Sequence, residues 1–129
     1  MFSVKKVLFS VFVLLGVITA AQADTLAAGA SYGGATQTFA ACYLFNAGTG
    51  PVTITSNLII REPNLPLVLS LDSCGVLAAG ASCAIAAPIV NAAAHSCRMI
   101  VSPSGANVRG SFELREAPLG RILNSLELR

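Results

Sequence analysis

The chain contains no tryptophan, a single histidine and no lysine beyond Lys6. Each absence removes a class of function. Carbohydrate modules stack sugar rings on exposed aromatics, and Tyr32 and Tyr43 are the only amphipathic aromatics here. Phe39, Phe45 and Phe112 fall in core-like alternating rows. His95 stands alone, two residues before Cys97, so no histidine cluster offers itself to a metal, and a loop or strand-edge position is expected for it. No C-x-x-C motif is present, and the spacing of Cys74 and Cys83 is too wide for a zinc knuckle. A charge excess is missing as well. Lys5 and Lys6 account for the net +2, and six arginines (61, 98, 109, 115, 121, 129) then face six acids (Asp24, Glu62, Asp72, Glu113, Glu116, Glu127). Without a basic surplus, neither nucleic acid nor an anionic membrane surface is an expected partner.

The first thing present is an export signal. Lys5 and Lys6 precede an apolar run from Val7 to Ile18, and Ala21-Gln22-Ala23 forms a small-x-small cleavage site before Asp24. The run is shorter than the ~20 residues that span a bilayer. Residues 1–23 therefore read as a signal peptide of bacterial style, and 24–129 as one exported domain, periplasmic or secreted. No second stretch is long and apolar enough for a membrane helix. All four cysteines lie in the exported part, the even count that an oxidising compartment converts to disulfides. Three connectivities are possible on paper.

Period-two patterning dominates the rest. Residues 36–45 (TQTFAACYLF) place Thr38, Ala40, Cys42 and Leu44 on one face and Phe39, Ala41, Tyr43 and Phe45 on the other. Both faces are largely apolar, which predicts a strand covered on both sides or a contact with another molecule. Residues 52–61 alternate with Val52, Ile54 and Leu58 inward and Thr53, Thr55 and Asn57 outward. Pro63 and Pro66 interrupt, and 67–71 reads as a short strand near an edge. Strands follow at 83–87, 97–102 and 108–115, with Cys97, Met99, Val101 and Val108, Gly110, Phe112, Leu114 as inward rows. Residues 103–107 have the composition of a hairpin loop, and 25–31 supplies a first strand. The alanine runs at 78–79 and 92–94 lack helical periodicity and read as loops. The tail, 119–129, fits a helical face (Leu119, Ile122, Leu123, Leu126) and also a strand edge (Ile122, Asn124, Leu126, Leu128); it is read as a strand. About seven short strands with turns between them predict an all-β antiparallel sandwich.

Asn46-Ala47-Gly48 followed by Pro51-Val52-Thr53-Ile54, and Ser73-Cys74-Gly75 followed by Leu77-Ala78-Ala79-Gly80-Ala81-Ser82-Cys83-Ala84-Ile85, resemble bacterial immunoglobulin-like modules of the ASPM/SPD-2/Hydin type. The resemblance covers about residues 42–88. It departs from the pattern at Ala79, where proline is usual, and lacks the F-x-P that commonly follows the second hairpin cysteine. The chain from residue 24 onward is also similar to small secreted bacterial β-sandwich proteins of unknown function. These resemblances imply an immunoglobulin-like fold and no catalytic residue. Cys74–Cys83 is favoured as a staple between adjacent strands flanking the turn 78–81. Cys42 and Cys97, both on inward faces, would then join the two sheets, as immunoglobulin-like sandwiches do.

Reactive constellations are scarce. Gly29-Ala30-Ser31-Tyr32-Gly33 matches G-x-S-x-G, and Asp72 and His95 follow in a permitted order. The match lies close to the start of the exported part and no helix follows it, so it reads as chance. No catalytic, cofactor-binding or metal-binding residue is expected, and no cofactor. The expected function is a non-enzymatic interaction or structural module working through a protein partner, either a second copy or an envelope protein. The alternative is a small ligand-binding or inhibitor domain presenting loops 61–66 and 88–96, stiffened by Pro63, Pro66 and Pro88.

Overall fold

A computed structural model describes residues 22–90 and 92–129, so the expected signal peptide lies outside the described residues apart from Gln22 and Ala23. Ten strands follow one another: β1 (Asp24–Ser31), β2 (Phe39–Asn46), β3 (Val52–Arg61), β4 (Leu65–Pro66), β5 (Leu71–Asp72), β6 (Val76–Leu77), β7 (Ser82–Pro88), β8 (His95–Ser102), β9 (Val108–Arg115) and β10 (Ile122–Leu128). There is no helix among the described residues, and hence none that could cross a membrane. Two antiparallel sheets form a β-sandwich. One has the order β1-β8-β3-β4, with β6 also paired to β3, and the other β10-β9-β2-β7-β5.

The count is ten rather than about seven because three strands are only two residues long. The strand expected at 67–71 is absent as such. Pairing there is confined to two brief ladders at its ends, β4 (Leu65–Pro66) against β3 just before it and β5 (Leu71–Asp72) against β7. The tail, by contrast, is a full strand along β9. Its last residue also meets β1, in a reciprocal pair between Ala27 and Arg129 (N···O 2.9 and 3.2 Å). Further along the same seam Asn124 Nδ2 donates to Ser31 Oγ. One side of the sandwich is thus closed by β1 meeting β10.

The core is built from the inner rows of both sheets. Cys97, Met99 and Val101 of β8 and Phe112 and Leu114 of β9 are at most 1% exposed, as their alternation predicts. The phase of β3 differs from the expected one. A register irregularity between Ile54 and Ser56 inserts an extra residue, so Ile59, not Leu58, sits opposite Cys97, and Asn57 opposite Met99. Such a bulge moves every later side chain to the other face. Residues 103–107 are likewise no hairpin, because β8 and β9 lie in different sheets. The loop crosses the end of the sandwich, where the Asp24 carboxylate accepts from the Gly105 N–H (2.7 Å) and the Ser104 hydroxyl (3.1 Å).

Both disulfides pair as favoured. Cys42 on β2 and Cys97 on β8, each fully buried, join the sheets with Cα atoms 6.3 Å apart. Pairing of β2 with β7 and of β3 with β8 around this bridge matches the central strands of an immunoglobulin sandwich. The outer strands are placed differently, with β9 beside β2 and β1 beside β8. The second bridge, Cys74–Cys83 (Cα–Cα 5.0 Å), closes the segment that leaves β7's neighbour β5, pairs as β6 with β3, and returns. The turn 78–81 has an Ala81 N–H to Ala78 O bond (3.0 Å) with Gly80 at φ +75°, the position of a type II turn that glycine suits.

Candidate functional site

The Asn46-Ala47-Gly48 stretch has a structural role. Asn46 is fully buried, and its amide donates to the carbonyls of Gly50 (2.9 Å) and Leu77 (3.0 Å), while its Oδ1 accepts from the Gly48 N–H (2.9 Å). Its backbone also bonds Ala81 and Gly80. One side chain thereby ties the β2–β3 turn to β6 and the 78–81 turn. Burial of a polar group is tolerated here because every bond is made.

The cysteines leave no chemistry. All four are disulfide-bonded, so no thiolate is offered to a metal or an electrophile. Among the described residues no three His, Cys, Asp or Glu side chains gather. The hydrolase residues are not assembled as a triad. Asp72 Oδ1 accepts from Asn57 Nδ2 (2.8 Å) and the Cys74 N–H (3.0 Å), and Ser31 Oγ accepts from Asn124. Ser31 and His95 are cross-strand partners in register, yet neither ring nitrogen of His95 has a hydrogen-bond partner among the described residues.

His95 is itself a correction. It was expected in a loop or at a strand edge, and it is fully buried at the start of β8, between Ser31 of β1 and Arg61 of β3. Burial lowers its pKa from the ordinary histidine value; the Ala93 carbonyl opposes this, Arg61 adds to it and Glu62 opposes it. Above it, loops 61–66 and 88–96 come together through the Glu62 N–H to Ala94 O bond (3.0 Å). Gln37, also fully buried, donates to the carbonyls of Ala93 (2.6 Å) and Val90 (3.3 Å) and accepts from the Gly33 N–H.

A different feature stands open to solvent. The outer row of β2, the central strand of its sheet, is Phe39, Ala41, Tyr43 and Phe45, of which Tyr43 is 36% and Phe45 43% exposed. Phe45 therefore does not belong to the core, contrary to the core-like row expected for it. The cause lies in its neighbours. Across from Tyr43 stand Ala84 and Ser111, and across from Phe45 stand Ser82 and Arg109. Ala84 and Ser82 on β7 and Ser111 on β9 are too small to cover the rings, which stand above the sheet in a shallow groove lined by Tyr43, Phe45, Ser82, Arg109 and Ser111. The Arg109 guanidinium donates to the carbonyls of Ala106 (2.9 Å) and Val108 (3.0 Å) and has no carboxylate partner among the described residues. At the far end of the face Arg115 pairs with Glu113 (2.5 Å), which raises the arginine's pKa further. The signal for this face was the double apolar alternation of residues 36–45; what no local pattern carries is the size of the residues on the two flanking strands.

Compared with protein-family models, with characterised proteins and with solved structures, the chain finds no match.

Proposed function

We propose that the protein is an exported, non-enzymatic β-sandwich module that binds a protein partner through the outer face of the β10-β9-β2-β7-β5 sheet. The observation that carries this is the exposed Tyr43–Phe45 pair at the centre of that face, beside Arg109, which has no carboxylate partner among the described residues. Aromatic residues and arginine are the types enriched where proteins dock, and a central strand holds them rigidly. The two disulfides fit an oxidising, extracytoplasmic compartment, and the 1–23 leader is the route we assign to it. Residues 42–88 are read as an immunoglobulin-like module of the ASPM/SPD-2/Hydin type, with Asn46 as the tie that makes its N-x-G stretch necessary.

The test is capture from envelope and culture-fluid fractions, with sedimentation velocity of the purified protein alongside. A Tyr43→Thr/Phe45→Thr variant keeps strand-compatible residues at exposed positions. It is expected to melt like the wild type and to lose at least tenfold in partner affinity or self-association. Undiminished binding by a folded variant would sink the assignment. A second reading, a ligand-binding domain presenting loops 61–66 and 88–96, is favoured by the Glu62–Ala94 bond that brings those loops together. Substitutions in those loops, and not at Tyr43 or Phe45, would then abolish binding.

A further inference from the structure

The hairpin that joins β9 to β10 ends in a braced turn. Gly120 N–H donates to Ala117 O (3.0 Å) and Glu116 N–H to Arg121 O (3.2 Å), with Pro118 fixing φ at the second position of the turn. The Glu116 carboxylate pairs with Arg121 (2.7 Å) and accepts from the Thr36 hydroxyl (3.2 Å), and the Glu116 carbonyl accepts from the Thr38 hydroxyl. The turn is so tight that a methyl group on Gly120 would stand 2.8 Å from the Ala117 nitrogen. On this support Leu119 is 97% exposed, and Ile122, where β10 begins, is 47% exposed. A side chain held out on a braced turn has little backbone freedom left to lose on docking.

The Tyr43–Phe45 groove offers the matching surface, an apolar hollow of about 320 Å³ on the outer face of the same sheet. It lies at the other end of the strands. The turn follows Arg115, which stands opposite Phe39, whereas the groove lies where Arg109 stands opposite Phe45. Six residues of β2, from 39 to 45, separate the two levels, or about 20 Å of strand. Leu119 therefore does not reach the groove of its own molecule. The charges are complementary as well. Arg109 beside the groove has no carboxylate partner among the described residues, and Glu116 at the turn is held only by a surface pair with Arg121, a kind of contact that is readily shared.

We propose that the occupant of the Tyr43–Phe45 groove is the 116–121 turn of a second copy of this chain, with Leu119 against the two rings and Glu116 facing Arg109. This rests on the sheet-face reading and names its partner. Turn and groove are different patches at opposite ends of one sheet, so the contact is heterologous. Each copy that docks leaves one turn and one groove free, and growth gives open chains or rings rather than a two-fold dimer. The contact is small, so it is populated at high protein concentration.

The experiment is sedimentation velocity of the purified, disulfide-bonded protein from about 10 μM to about 1 mM. Leu119→Ser removes the apolar tip, and Tyr43→Thr/Phe45→Thr removes the groove. The wild type is expected to grow beyond the dimer with concentration, and each variant alone to associate about tenfold or more weakly. An equimolar mixture of the two variants should form one-to-one heterodimers that grow no further, because each supplies the surface the other lacks. Should the groove variant not fold, Ser82→Arg takes its role, crowding the groove from an exposed position opposite Phe45. A wild type that stays monomeric, an association that saturates at the dimer, a Leu119→Ser variant that associates like the wild type, or a mixture that stays monomeric would each overturn the proposal. A monomeric wild type that still binds an envelope protein through Tyr43 and Phe45 leaves the sheet-face reading standing, and loss of both sinks the two together.

Discussion

Gly110→Ala is the substitution for which the structure makes the sharpest demand. Gly110 lies in the inner row of β9, opposite Leu44 of β2. A methyl group there would stand 2.7 Å from Leu44 Cδ2, 2.8 Å from the carbonyl oxygen of Tyr43 and 3.2 Å from Leu128 Cβ. Ordinary carbon contacts are about 3.5–4.0 Å, so roughly an ångström of movement is required. Leu44 is 1% exposed and has little room to rotate, and the Tyr43 oxygen belongs to the central strand's backbone. Overpacking of this kind costs about 1–3 kcal/mol, and the lower entropy of an unfolded alanine returns at most ~1 kcal/mol. A net loss of about 1–2 kcal/mol is expected, read as a urea midpoint shift at unchanged slope, or as a melting temperature lowered by roughly 5–10 °C. Gly29→Ala is the control, because nothing lies within 4 Å of its added methyl; it should be neutral or slightly stabilising. An alanine at 110 that leaves stability unchanged would refute the close approach of β9 to β2, and with it the account of how Tyr43 is held.

The two disulfides should differ in worth. Loop-closure entropy assigns about 4 kcal/mol to Cys42–Cys97 and about 2.7 kcal/mol to Cys74–Cys83, from sequence separations of 55 and 9. Paired Cys→Ala variants compared by denaturant titration should keep that order, and a larger loss at 74/83 would contradict it. Asn46→Ala leaves the Leu77 carbonyl and the Gly48 N–H without their partner and should cost about 2–4 kcal/mol by thermal melting. Asn46→Asp should not rescue it, since both carbonyls need a donor. A loss under about 0.5 kcal/mol would mean the tie is ornamental.

Much of this fold is legible in local patterns. Strands were expected at 25–31, 83–87, 97–102 and 108–115, and in the last two alternation also marked the inner rows, because a half-buried strand must place apolar side chains on every second residue. The favoured cysteine pairs rested on the turn that Cys74 and Cys83 flank and on the arrangement that the immunoglobulin-like resemblance implies, which the inward faces of Cys42 and Cys97 support. The misreadings share another cause. Leu58 was assigned inward because a bulge after Ile54 is invisible to a periodic pattern. Residues 103–107 look like any hairpin loop, and composition does not say that the next strand belongs to the other sheet. Residues 67–71 have the composition of a strand but no continuous partner.

The candidate sites divide along the same line. By itself the sequence determined a balanced charge beyond residue 23, an even set of cysteines, and a central segment apolar on both faces. Those follow from residue type and spacing alone. Whether the second face of 36–45 is covered was decided by which strands flank it, and β7 and β9 happen to bring Ala84 and Ser111 against Tyr43, and Ser82 and Arg109 against Phe45. The burial of His95 was decided likewise, by β1 and β3 closing on either side of β8 and by loops folding over its end. Exposure is a property of neighbours distant in sequence, and only tertiary structure assembles them.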